Sequence, residues 1–139
     1  MHQENAAAAR RIIAEVWNNG NLDVVDEYLH PKYVHHDPQS PSPGGAAGFK
    51  AVVEAFRAAF PDLAIQIDDL IATEDRVVIR YRASGTQRGD LPSVPATGRY
   101  AEVNGISINR FADGKIVEAW VNWDTLGMLR QLGVLPGSE

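Results

Sequence analysis

The sequence contains no cysteine. That excludes disulfides, thiolate nucleophiles and zinc sites built on thiolates. No apolar run approaches the roughly 20 residues that span a bilayer, so no membrane partner is expected. Positive charge is scarce as well: 13 Lys and Arg against 18 Asp and Glu leave a net charge of −5. Nothing in such a balance attracts a phosphate backbone, and no nucleic-acid partner is expected. The opening MHQENAAAARR lacks the basic start and apolar stretch of a secretory leader, which points to a cytoplasmic location. A phosphate loop, a nucleophile elbow and a dinucleotide fingerprint are all missing.

What is present suits one domain spanning residues 1–139. Hydrophobic residues at 45% and charged residues at 22% are those of an ordinary globular chain. Ala9, Ile12, Ile13, Val16 and Trp17 recur at helical spacing and predict a helix over 4–18, stopped by Gly20. Leu22, Val25 and Leu29 predict a short second helix over 22–29, closed by Pro31. Lys32 to Asp37 reads as a short extended piece, followed by a Pro- and Gly-rich loop over 38–45. Phe49, Val52, Val53, Phe56 and Phe60 predict a third helix over about 47–60.

The period then changes to two, the signature of strands. Strands are predicted over 63–72, 77–86, 99–111 and 115–123, with a bulge near Asp68 and Asp69, where the alternation slips. Asp113-Gly114 is a hairpin turn signal, and a short helix is predicted over 124–132. Helices first and strands later predict an α+β fold. Three N-terminal helices would pack on one face of a curved antiparallel sheet of four or more strands and leave a cone open at one end. The loops over 38–48 and 87–98 are expected to cover that end.

Three stretches carry a family resemblance: VWNNGNLDVVDEYLHPKYVHHDP, AFRAAFPDLAIQIDDLIATEDRVVIRY and NGISINRFADGKIVEAWVNWDTLGMLRQLGVLP. In order and spacing they resemble the SnoaL-like polyketide cyclases, in register from about residue 6 to residue 136. The resemblance implies an NTF2-like cone, often assembled as a homodimer. It also implies acid–base ring closure, an intramolecular aldol step on a polyketide methyl ester, with no metal and no cofactor. The implied substrate is a small hydrophobic or polycyclic organic molecule. Many relatives read Glu-His-Trp where this chain reads Glu118-Ala119-Trp120, which weakens the inference that the activity itself carries over.

Asp124 is the position matched to the family's aspartate acid–base. In a regular strand it shares a face with Glu118, Trp120 and Asn122. A carboxylate beside tryptophan in a water-poor cone suits enolisation. The competing reading of Asp124 is an N-cap for the last helix. A His-Asp pair recurs in the family, so His36 is expected to donate to a developing enolate and Asp37 to line the pocket. Adjacent histidines on an extended chain point to opposite sides, so at most one of His35 and His36 faces inward. With neither HxH nor HxxxH spacing, a metal site is not expected. Tyr81, Asn104, Trp120, Asn122 and Trp17 complete the expected pocket lining, with Arg80, Arg82 and Arg110 read as surface pairs.

Two rival functions accompany the cyclase reading. Epoxide hydrolysis or double-bond isomerisation would need a second positioned carboxylate, for which Asp37 and Glu118 are the candidates. Ligand binding without catalysis would be favoured by an Asp124 that faces solvent and serves only as a cap.

Overall fold

The computed structural model describes residues 2–38 and 44–135. Most of the loop expected over 38–45 therefore lies outside the described residues, as does Pro136. Helix α1 spans His2–Arg11 and runs on without interruption into a wider π-helical segment, Ile12–Asn18. Gly20, at φ 74°, turns the chain out of it. Helix α2 is Asp23–Tyr28, strand β1 Leu29–His36 and helix α3 Gly45–Ala59. Strands β2 (Ala64–Ala72), β3 (Arg76–Thr86), β4 (Tyr100–Ala112) and β5 (Lys115–Trp123) follow, then helix α4 (Thr125–Leu132).

The strands form one five-stranded sheet in the order β1-β5-β4-β3-β2. The sequence predicts only a short extended piece over Lys32 to Asp37, apart from an antiparallel meander. In the structure β1 is a full edge strand, and it pairs parallel to β5. Its hydrogen bonding breaks between Leu29 and Val34, a stretch that holds Pro31, which has no N–H to donate. Periodicity within a segment carries no information on a partner some 80 residues away, so the parallel pairing was not legible. The bulge expected near Asp68 is present as a register shift between Ile67 and Asp69. The β4–β5 turn puts Asp113 (φ 53°) and Gly114 (φ 77°) in the left-handed region, as a two-residue hairpin requires.

The helices cover one face of the sheet, here called the inner face. Val16, Val24, Val25, Leu29 and Val53 from the N-terminal half pack with Val77, Ile79, Phe111, Ile116 and Ala119 from the strands. A second cluster joins Ala59 and Phe60 at the end of α3 to Ala101, Val103, Met128 and Leu132. Truncating any one of these buried aliphatic side chains to alanine would cost about 2–5 kcal/mol for Leu, Ile or Met.

Two polar side chains tie irregular chain to this framework. Asn18 bonds both backbone groups of one residue of β2: its Oδ1 accepts from Ile65 N at 2.7 Å and its Nδ2 donates to Ile65 O at 3.0 Å. Gln87 is wholly buried and organises the 87–98 loop. Its Nε2 donates to Val94 O, and its Oε1 accepts from Thr97 N and Oγ1. Arg88 N and Gly89 N then donate to Ala59 O at the end of α3. The loop is anchored over the second cluster, through Leu91 and Val94, and none of residues 87–98 lines the main cavity. The expected covering role is thus not what this loop's contacts provide.

Candidate active site

Between the helices and the inner face lies a cavity of about 160 Å³, room for an aromatic ring and its substituents. Its walls are mostly apolar and aromatic. Trp17, from the π-helical segment, meets Phe49 edge to face at 5.8 Å, and Tyr33 meets the same Phe49 at 5.8 Å from the other side. Phe56 in turn packs edge to face on Trp123 at 5.9 Å. The polar groups that reach the cavity are Tyr33, His35, Asp37, Tyr81, Ser84, Ser107, Asn109 and Trp123.

Three of these come from a single strand and its continuation. Tyr33, His35 and Asp37 alternate along β1 and so share its inner side. The Tyr33 hydroxyl lies 2.6 Å from His35 Nδ1. His35 Nε2 lies 3.9 Å from Asp37 Oδ2, and the two side chains are only 9% and 6% exposed. Trp123 Nε1 donates to the same Asp37 oxygen at 3.2 Å. A carboxylate taken out of water needs such donors, because an uncompensated buried charge costs several kcal/mol.

Tyr81 approaches from β3. Burial first, and the neighbouring Asp37 charge second, push its phenol up to about 12. Tyr33 is pushed up by the same two causes in the same order. Both phenols therefore keep their protons at neutral pH and remain hydrogen-bond donors. Tyr81 can lie flat across β4 only because its cross-strand partner is Gly105. A Cβ at Gly105 would collide with the Tyr81 ring and hydroxyl.

The structure brings Asp37, Tyr81 and Trp17 to the cavity as expected, and moves the other expected site residues off it. Asp124 is exposed; its Oδ1 accepts from Gly127 N at 2.8 Å and caps α4. Glu118, Trp120 and Asn122 do share one face of β5, but it is the outer one. Ala119, Val121 and Trp123 point inward. His36 is on the outer face too. It stacks on Trp120 at 5.4 Å and reaches Glu118 Oε2 at 2.7 Å. There, hydrogen bonds from His36 and then Arg110 hold the Glu118 carboxyl below its ordinary range. Asn104 is exposed on the outer side of β4. Ala119, in place of the histidine of many relatives, is buried in the inner core.

The error is one of phase. A family pattern of adjacent His and Asp drew the reading to His36 with Asp37. On a strand, Asp37 shares a face with His35 and Tyr33, so the alternation was the signal that would have found them. An exposed Asp124 acting as a cap favours the binding-only reading when taken alone. The inner face, however, brings a carboxylate, an imidazole and two phenols to the cavity. The arrangement defines a class: an α+β cone with a carboxylate, an imidazole and two phenols converging in an apolar cavity, equipped for proton transfer on a small organic molecule. Among the described residues no three His, Asp or Glu side chains are grouped as a metal ion would require.

Comparison with known proteins gives the family. The profile described as SnoaL-like polyketide cyclase matches residues 7–132, and the chain belongs to that family. It is 32% identical over 130 residues to the aklanonic acid methyl ester cyclase DnrD of Streptomyces peucetius, covering 88% of this chain and 87% of that one. It is 30% identical over 128 residues to the nogalonic acid methyl ester cyclase of Streptomyces nogalater, covering 87% and 92%. The solved structure of TsrD from Streptomyces laurentii superposes with a TM-score of 0.89 at 31% identity, over 97% of this chain and 98% of that one. The protein is accordingly an enzyme of the cyclase type, with the NTF2-like fold of these relatives.

Proposed function

We propose that this enzyme closes a carbon ring by an intramolecular aldol step on an uncharged polyketide-derived carbonyl compound, with Asp37 as general base and His35 and Tyr81 as hydrogen-bond donors. The observation that carries the reading is the Asp37 carboxylate, buried beside His35 in a cavity whose lining contains neither lysine nor arginine. No cation is in place to offset an anionic substrate group, and Asp37 would repel one.

In the proposed step, the Asp37 carboxylate takes a proton from the carbon next to the substrate ester. The enolate oxygen accepts hydrogen bonds from His35 and Tyr81, donors that require no reorganisation as charge develops. The enolate carbon attacks the ketone carbon of the same molecule, forming the new C–C bond. The resulting alkoxide takes a proton back from the carboxyl group of Asp37. Atoms and charge balance with no external reactant. The apolar walls strengthen each of these interactions by excluding water.

Two further parts of the reading concern its setting. Val34, Tyr100, Ile106 and Ile71 are exposed on the outer face of the sheet, where no helix among the described residues covers them. This supports a homodimer joined through that face. A cytoplasmic location is kept from the reading of composition, and no helix among the described residues is long and apolar enough to cross a membrane.

The test uses aklanonic acid methyl ester and nogalonic acid methyl ester, the compounds in the relatives' names, as first substrates. Ring closure is followed by chromatography for the wild type, Asp37→Asn and Asp124→Asn. The reading expects Asp37→Asn to lose about 10²–10⁴ of the rate and Asp124→Asn to keep it. The opposite pattern would return the chemistry to Asp124.

A further inference from the structure

We propose that Tyr33 is a positioning residue: its hydroxyl donates to His35 Nδ1 and so fixes the imidazole as the tautomer that carries its proton on Nε2, aimed at the reacting end of the cavity. This deepens the function proposed above and rests on Asp37 and His35 being the reacting pair.

The geometry comes from the spacing along β1. Tyr33 and His35 are two residues apart on the inner side of one strand, which brings the hydroxyl to 2.6 Å from Nδ1. That distance is a short, well-formed hydrogen bond. Two proton arrangements are compatible with it. Either the phenol donates to a bare Nδ1, or a protonated Nδ1 donates to the phenol oxygen. Tyr33 is 3% exposed, and the hydroxyl has no other side-chain or backbone acceptor among the described hydrogen bonds. In the second arrangement its own proton would be buried without a partner, which costs about 1–3 kcal/mol. The first arrangement satisfies both groups. Burial and the nearby Asp37 charge also oppose ionisation of Tyr33, so it stays a donor.

With Nδ1 accepting, the neutral imidazole must carry its proton on Nε2. That atom faces the Asp37 carboxylate at 3.9 Å. The separation is too long for a direct hydrogen bond and too short to hold a water molecule in line between them. The carboxylate favours the N–H on this side by charge. A substrate oxygen lying beside the pair can then take the Nε2 proton as a hydrogen bond, while Asp37 works on the adjacent carbon. The reverse tautomer would present a lone pair to the developing enolate and repel it. The other polar groups around this end are Tyr81, Trp123, Ser107 and Asn109. None of them has a described hydrogen bond to the His35 ring, so the tautomer is assigned through Tyr33.

The experiment reads the tautomer directly. The full chain is labelled with ¹⁵N in its histidines, and two- and three-bond ¹H–¹⁵N correlations of the His35 ring are recorded at neutral pH. The wild type is expected to show a protonated Nε2 and a bare Nδ1. Tyr33→Phe keeps the ring and removes the donor; it should abolish that preference and lower kcat about fivefold, the worth of one neutral hydrogen bond, with KM unchanged. A wild-type ring protonated on Nδ1, or a Tyr33→Phe ring with the wild-type tautomer, would overturn the proposal. Asp37→Asn separates the two layers. If it leaves ring closure intact while Tyr33→Phe still shifts the tautomer, the assignment of Asp37 as base fails and that of Tyr33 stands.

Discussion

His35 and His36 are neighbours in the chain, and each has a carboxylate beside it, yet they occupy different physical worlds. The His36 side chain is 44% exposed and bonds Glu118 at 2.7 Å, with Arg110 also on that carboxylate. Water reaches this pair and Arg110 shares its carboxylate, so the contact adds little to stability. His35 is closed in by aromatic rings, and its separation from Asp37 is longer, 3.9 Å. The shorter contact is thus the less consequential one. A surface pair that is already satisfied has nothing left to offer a ligand. The interior pair is held close, short of contact, in a medium where charge is strongly felt. What sets the inner pair apart is its burial against the cavity, not the length of its contact.

Substitutions on the two faces should separate accordingly. The largest effect is expected inside: Asp37→Asn should lower ring closure by about 10²–10⁴, whereas Glu118→Gln on the outer face should leave kcat unchanged. Steady-state rates on the same substrate compare them. Next comes Gly105→Ala. The added methyl meets the Tyr81 ring, so the ring must move or the strands part, at a cost of about 1–3 kcal/mol. Thermal unfolding should register the loss, and kcat should fall because Tyr81 leaves its place. Asp124→Ala removes the N-cap of α4 and should cost about 1 kcal/mol in denaturant unfolding, with kcat retained by the folded enzyme.

The smallest effect belongs to the outer pair and depends on pH. The Glu118 carboxyl is held below its ordinary value of 4.5 by His36 and Arg110. A depressed folded-state value means stability that is full above the unfolded value and lost as pH falls through the folded one. Wild type should therefore exceed Glu118→Gln slightly at pH 7, and the gap should close as pH drops below about 4. Chemical unfolding at several pH values measures it.

The same contrast explains what could be read from the sequence. On β3, Val77, Ile79 and Tyr81 alternate with Arg80 and Arg82, and the arginines mark the outer face: Arg80 pairs with Asp69 and Arg82 with Asp68. Tyr81 was placed correctly because charge announced the phase. On β5 both faces carry tryptophan, Trp120 outside and Trp123 inside, three residues apart. Alternation was evident there, but its sign was not, and Asn122 and Asp124 went to the wrong side. Asn104 failed with them, since β4 pairs with β5. Helix positions were largely legible from the apolar stripes. The parallel pairing of β1 was not, because it depends on a contact between the two ends of the chain. Tyr33 was legible through the same alternation that joins His35 to Asp37; its hydrogen bond to Nδ1 was not, because that depends on how the two side chains turn.

Asn18 has a consequence beyond its local hydrogen bonds. β2 is the last strand of the sheet, with one side open to whatever can offer a complementary backbone. At Ile65 the Asn18 carboxamide presents one acceptor and one donor at the spacing a peptide group would, and so stands in for the first unit of a sixth strand. An incoming chain finds that position already taken. Asn18 thus blocks one pairing position on this edge, and Asn18→Ala is expected to raise aggregation during refolding before it changes catalysis.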